Sequence, residues 1–148
     1  MASPRRINTE AVARAPTYAA PASTLRQRIV VVVEDDVDTR AGLQDVLEQH
    51  GYQVFATGDG QAALDRLRQL PRADLLILDL YMPGLSGFEI YQAVRDDAQL
   101  SSTPIIVVTA APPTRRTGLQ VAATIRKPIE VFELLFVVGK AVAAEPST

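Results

Sequence analysis

Acidic side chains gather at a few points of this sequence, each directly after a short apolar run. Glu34, Asp35 and Asp36 follow Ile29-Val30-Val31-Val32-Val33, and Asp79 follows Leu75-Leu76-Ile77-Leu78. Two residues of other types stand in comparable places: Thr109 closes Pro104-Ile105-Ile106-Val107-Val108, and Lys127 follows Ala123-Thr124-Ile125-Arg126. Carboxylates brought close together repel one another, so converging acids make sense only around a cation. Oxygen ligands without imidazole or thiolate suit a hard ion, magnesium above all when phosphate is the other ligand. A carboxylate can act as nucleophile and carry an acyl phosphate. Phosphoryl transfer needs such an in-line nucleophile and neutralisation of the equatorial oxygens. Lys127 offers a compact positive charge and Thr109 a hydroxyl donor for that purpose.

These residues converge only if the elements before them lie side by side. The β-branched run at residues 29–33 reads as a strand buried on both faces, as in a parallel sheet. Val37, Leu43, Val46 and Leu47 then recur at helical spacing, with Gly51 as the stop. Residues 53–57 read as a second strand; Ala63, Leu64, Leu67 and Leu70 mark a second helix ending before Pro71. After the strand at 75–78 and the Met82-Pro83-Gly84 loop, Phe88, Ile90, Tyr91 and Val94 mark a third helix. Residues 104–108 and 123–126 supply two more strands, and residues 131–142 a last helix with Phe132, Leu135, Phe136 and Val142 facing inward. Leu134, Val137 and Val138 widen the apolar surface of that helix beyond one face, a hint of a homodimer or partner contact. Strands alternating with helices predict an α/β fold, a doubly wound five-stranded parallel sheet. Right-handed crossovers place all the strand carboxyl ends on one edge, where such sheets bind ligands.

Composition narrows the class. With 47% hydrophobic and 22% charged residues among 148, the chain has the balance of one globular domain. The absence of cysteine removes disulfides and thiolate metal sites and accords with a cytoplasmic setting. No apolar run is long enough to span a bilayer, which argues against membrane insertion. A net charge of −2 gives no case for direct nucleic acid binding. Residues 1–27 mix prolines with Ala, Ser, Thr and Arg without apolar periodicity, so a tail without intrinsic fold is expected there and again over 145–148. The tail faintly resembles a transit peptide, but an unstructured cytosolic extension is the plainer reading. His50, the single histidine, sits at a helix end before Gly51 and reads as a surface residue.

Residues 28–144 resemble the receiver domain of two-component response regulators, the family of the chemotaxis regulator. The matching text is Val32-Val33-Glu34-Asp35-Asp36 with Arg40, Leu78-Asp79-Leu80-Tyr81-Met82-Pro83 with Gly87, Val108-Thr109-Ala110, and Lys127-Pro128. Each piece is weak alone, and the four in order are strong. The resemblance implies a flavodoxin-like strand order 2-1-3-4-5. It implies Asp79 as phosphoacceptor, served by Thr109 and Lys127, with Mg2+ held by Glu34, Asp35, Asp79 and the backbone carbonyl of Tyr81. Asp36 lies one place beyond the usual acid pair. Lys127 would precede a cis proline. The implied partner is a sensor histidine kinase or histidine phosphotransfer protein, and the domain is not an enzyme beyond assisting its own phosphorylation and dephosphorylation. With nothing but Glu145-Pro146-Ser147-Thr148 after the last helix, a stand-alone regulator acting through protein contact or phosphorelay is expected.

The pattern breaks between Thr109 and Lys127, which stand closer than in the family. Pro112-Pro113 and Gly118 leave room for one or two helical turns at best, so the fourth-helix region is expected to be short, irregular or missing. Thr124 occupies the place of the family's aromatic switch residue. Ordering of residues 110–121 on phosphorylation would be another way to read the signal. Two other functions compete. A phosphorylation-independent interaction module with this fold would not need the full set of Glu34, Asp35, Asp79, Thr109 and Lys127. An aspartyl phosphatase would place a second Asp where Tyr81 stands.

Overall fold

The computed structural model describes residues 26–110 and 118–143. Five strands, β1 (Ile29–Val33), β2 (Gln53–Thr57), β3 (Leu75–Asp79), β4 (Ile105–Thr109) and β5 (Ala123–Arg126), form one sheet in the order β2-β1-β3-β4-β5. All neighbouring pairs are parallel. Four helices connect or follow them among the described residues: α1 (Val37–Gln49), α2 (Gly60–Gln69), α3 (Gly87–Asp96) and α4 (Val131–Ala143). The doubly wound sheet and its strand order are those expected from the sequence.

Alternation along the strands builds two cores. Val31 and Val33 of β1, Leu76 and Leu78 of β3, and Ile105 and Val107 of β4 pack on α2 and α3 through Leu64, Leu67, Ile90 and Val94. The intervening Val30, Val32, Leu75, Ile77, Ile106 and Val108 face the other way, onto Leu43 and Leu47 of α1 and Leu134 and Val138 of α4. The central strands β3 and β4 are buried along their whole length, which is why they read as unbroken apolar runs. Truncating a fully buried leucine such as Leu47 or Leu78 would cost about 2–5 kcal/mol.

Helix starts are set by side-chain caps. Asp36 caps α1 by accepting from the Thr39 amide at 2.8 Å, and Asp59 caps α2 by accepting from the Gln61 amide at 3.0 Å. A reciprocal pair, Ser86 and Glu89, opens α3. Gly51, at φ 92°, ends the turn after α1 in the left-handed region.

The inward face of α4 differs from the expectation. Phe132 and Phe136 point outward, 79% and 66% exposed, and Leu135 is only partly buried; Leu134, Val138, Ala141 and Val142 face the sheet. Leu134 and Val138, expected as surplus, are thus core. The reason is that α4 is apolar nearly all round, so periodicity does not single out a face; tertiary packing does, with Leu134 and Val138 sharing one core with Ile106, Val108 and Ile125. Val37 and Phe88 are also exposed, at the starts of α1 and α3.

Residues 111–117, where the short irregular fourth-helix region is expected, lie outside the described part; Gly118 to Ala122 carry no helix. This approach to β5 is tied to α3. Arg95 donates to the carbonyls of Ser101, Thr103 and Gln120 at 2.8–3.0 Å, and Tyr91 Oη accepts from the Gln120 amide at 2.7 Å. At the opposite end of the sheet from the β-strand carboxyl termini, Asp74 bonds the Ile29 amide at 2.8 Å and is surrounded by Arg26, Arg28 and Arg72. Arg26 and Gln27, placed in the tail by the sequence, make bonds to Asp74 and to the Gly51 carbonyl. The other tail residues fall outside the described part, as do residues 144–148.

Candidate functional site

Parallel pairing brings the chemistry-bearing residues together. Val33, the last residue of β1, pairs with Leu78, so Glu34 and Asp79 leave adjacent strands side by side. Asp79 pairs with Val108, and Thr109 with Arg126, which sets Thr109 and Lys127 one step further along the same edge. Carboxylate oxygens of Glu34, Asp35 and Asp79 lie within 4.8 Å of one another. Glu34, Asp79 and Thr109 are buried, while Asp35 is exposed.

Lys127 answers the two buried acids. Its Nζ donates to Glu34 Oε2 at 3.2 Å and to Asp79 Oδ2 at 3.1 Å. The same ammonium lies 3.0 Å from Glu34 Oε1 but out of hydrogen-bonding alignment, so that buried oxygen accepts no hydrogen bond. The remaining Asp79 oxygen, Oδ1, accepts from the Tyr81 amide at 3.1 Å. The Lys127-Pro128 peptide is cis, as the resemblance implies. Thr109 contributes its carbonyl to the Lys127 amide at 3.0 Å, which ties the end of β5 to the end of β4.

Charge in the pocket is unbalanced. Burial pushes the Glu34 carboxyl above its ordinary value, and the nearby Asp79 charge adds to this; the Lys127 ammonium and the Asp36 amide only partly oppose them. Burial also works against the Lys127 ammonium, but its bonds to Glu34 and Asp79 prevail and hold its pKa above the ordinary range. One ammonium against three carboxylates leaves an excess of negative charge.

That excess, with four elements aimed at one edge, is the arrangement of a known family. The family model for the response regulator receiver domain matches residues 30–138. The chain belongs to that family. Among curated relatives, the DNA-binding response regulator MtrA of Mycobacterium tuberculosis is 39% identical over 116 residues, 76% of this chain and 49% of MtrA. The chain thus spans about half the length of the first curated relatives it matches. Among solved structures, the chemotaxis protein CheY4 of Vibrio cholerae superposes with a TM-score of 0.73 at 28% identity, covering 78% of this chain and 99% of that one. TrrA of Thermotoga maritima, solved in complex with Mg(2+)-BeF, gives 0.69 at 28% identity, with coverage of 78% and 99%.

Receiver domains bind Mg2+ at this acidic pocket, and the residues present fit such an ion. All three side-chain donors are hard oxygens, and Glu34 Oε1 is a buried acceptor without a hydrogen bond. Asp36 is different: its carboxylate caps α1, and bonds from the Thr39 hydroxyl and amide hold its pKa below the ordinary value. His50 is exposed, its Nδ1 2.9 Å from the Val46 carbonyl at the end of α1, away from this constellation. Among the described residues no helix is long and apolar enough to cross a membrane.

Two residues that shape the site carried no role in the sequence reading. Arg40 Nη1 donates to the Glu34 carbonyl at 2.8 Å and approaches the Asp35 carbonyl at 3.4 Å, holding the turn that carries both acids. Gly87 begins α3 against the backbone of Asp79 and Leu80, where a Cβ would collide with the Asp79 carbonyl oxygen. Both belong to the text that carries the family resemblance, but only the folded chain reveals what they touch.

Proposed function

We propose that Asp79 accepts a phosphoryl group from a sensor histidine kinase or histidine phosphotransfer protein. The observation that carries this reading is the position of Asp79 between the Lys127 ammonium, 3.1 Å away, and the oxygens of Glu34 and Asp35. A carboxylate oxygen of Asp79 forms the new O–P bond as the P–N bond of the donor phosphohistidine breaks, and the imidazole leaves. Lys127 meets the negative charge on one phosphoryl oxygen, and the Thr109 hydroxyl is assigned to another. The Tyr81 amide at Asp79 Oδ1 fixes the carboxylate plane during the transfer. Glu34, Asp35, Asp79 and the Tyr81 carbonyl are the residues that would hold Mg2+. When bound, the ion supplies charge neutralisation for the clustered carboxylates and the phosphoryl oxygens.

The receiver is proposed to span residues 28–144, to work in the cytoplasm, and to pass its signal by protein contact or by relay of the phosphoryl group, without nucleic acid contact of its own. Its part in the chemistry is that of a substrate that assists its own phosphorylation and dephosphorylation. Intact-mass measurement after incubation with acetyl phosphate and magnesium tests the acceptor. A single phosphoryl adduct, absent in Asp79→Asn, is expected. An adduct that survives in Asp79→Asn would move the acceptor elsewhere. No adduct with acetyl phosphate or a cognate kinase would favour the phosphorylation-independent interaction module.

A further inference from the structure

The outward face of α4 is not explained by anything within the described chain. Phe132 and Phe136 are 79% and 66% exposed, more than any other large hydrophobic residue described. They continue into Gly139 and Ala143 with the 4-3-4 spacing that keeps residues on one stripe of a helix. Glycine inside a helix is destabilising relative to alanine, yet a Cβ built at Gly139 meets no atom within 4 Å. Among the described residues of one chain, nothing occupies the place of the missing side chain.

The stripe is therefore bulky in its first half and small in its second. Such a surface complements itself when two copies run antiparallel. Phe132 of one helix then lies against Ala143 of the other, and Phe136 enters the space that Gly139 leaves. Charge follows the same symmetry. Glu133, exposed at the bulky end, comes to the same end of the seam as Lys140 of the second helix, about 3 Å apart along the axis and within reach of a lysine stem. Lys140 Nζ already lies 5.4 Å from the centre of its own Phe136 ring, so the cation borders the seam instead of pointing away. A parallel pairing would instead stack phenylalanine on phenylalanine and glycine on glycine, and would leave Glu133 and Lys140 of the two helices about 10 Å apart along the axis. We propose that this face joins a second copy of the chain in an isologous, antiparallel α4–α4 homodimer.

The seam is distinct from the carboxylate pocket, so its test is independent of whether Asp79 is the acceptor. Sedimentation of the full chain over a concentration series should show a rise from one to two chains per particle. Gly139→Leu and Phe136→Ser should each weaken that association at least tenfold, without lowering the thermal midpoint of the monomer, because Phe136 is exposed and a Cβ at Gly139 meets no atom within 4 Å. The register is read by cross-linking. The chain has no cysteine, so introduced thiols are the only ones. Phe132→Cys with Ala143→Cys should give a disulfide-linked dimer on oxidation. The two positions are about 16 Å apart along one helix, too far for a bond within a chain. Phe132→Cys alone should give little product. A full chain that stays monomeric throughout the series overturns the proposal, and so does a dimer indifferent to both seam variants. Efficient cross-linking through Phe132→Cys alone overturns the antiparallel arrangement.

Discussion

The guanidinium of Arg40 fills the space that a side chain at Gly58 would take. A Cβ at Gly58 would lie 2.6 Å from Arg40 Nη1, the same nitrogen that donates to the Glu34 carbonyl at 2.8 Å. Gly58 follows β2, whose last residue, Thr57, accepts from the Glu34 amide at 3.0 Å. The turn that presents Glu34 and Asp35 is thus gripped from both sides, by the end of β2 and by Arg40 reaching over a glycine.

Gly58→Ala should push Arg40 out of that position and release the acid turn, and Arg40→Ala should do the same from the other partner. Residues that orient ligands without touching the ion typically change metal affinity by about 10–100-fold. Magnesium affinity in each variant is expected to fall by about tenfold, measured by calorimetric titration. Phosphorylation by acetyl phosphate at subsaturating magnesium should slow in step. Combining the two substitutions should add little, since they break one contact. Full affinity in Gly58→Ala would mean that the turn holds itself.

Magnesium should stabilise the folded chain. An ion that binds only the native state adds about 2.7 kcal/mol at a hundred times its dissociation constant, a rise of about 10 °C in the unfolding midpoint of a domain of this size. Asp35→Asn should abolish most of that rise, because it removes the exposed donor of the cluster. The same variant should be slightly more stable than the parent without magnesium, since three carboxylates then become two around one ammonium. Differential scanning calorimetry with magnesium chloride against sodium chloride of equal ionic strength separates specific binding from screening. An equal rise in both salts would count against a dedicated site.

The sheet and most of the pocket could be read from the sequence because each depends on short runs. An unbroken apolar stretch such as Leu75-Leu76-Ile77-Leu78 announces a buried parallel strand, and whatever follows it must emerge at the ligand-binding edge. Glu34, Asp79, Thr109 and Lys127 needed nothing more than that rule. The orientation of α4 was not accessible in this way. Its apolar residues surround the helix, and the choice between Leu134 with Val138 and Phe132 with Phe136 is made by packing against strand residues far away in the sequence. Asp74 was equally silent, because its partners Arg26 and Ile29 stand 45–48 residues away and no local pattern ties an acid to them.

Asp74 supports a pH prediction. Burial alone would raise its carboxyl pKa, but the Arg26 guanidinium, the Ile29 amide and the charges of Arg26 and Arg72 together outweigh burial and hold it below the ordinary 3.8. A group depressed in the folded state contributes stability that is complete above its unfolded pKa. That contribution disappears as pH falls through the lower folded value. Asp74→Asn should therefore cost about 2 kcal/mol near neutral pH, as expected for hydrogen bonds to a charged group. The gap between parent and variant should persist down to about pH 4 and close below it. Urea unfolding of both proteins across that range measures the gap; one that widens in acid would reverse the sign of the assignment.

Tyr81 offers the sharpest test of how the pocket treats an acyl phosphate. Its amide holds Asp79 Oδ1 at 3.1 Å, so the backbone is fixed to the acceptor whatever the side chain does. The ring is half exposed and stands edge-on to Phe88, with centroids 5.5 Å apart and planes at 76°. Two residues after the acceptor, a ring braced in this way is expected to screen it from water, and hydrolysis of the acyl phosphate requires an attacking water in line with the Asp79 oxygen. Tyr81→Asn keeps the amide and removes the screen, and its short polar side chain can hydrogen-bond a water there. The phosphorylated lifetime should shorten by about tenfold, a barrier change of about 1.4 kcal/mol, while the rate of phosphorylation changes much less. Phe88→Ala, which removes the brace but keeps the ring, should shorten the lifetime by a smaller factor. Following decay of the phosphorylated mass after removal of the donor gives both lifetimes. Equal lifetimes in parent and Tyr81→Asn would show that water reaches the pocket by a route the ring does not cover.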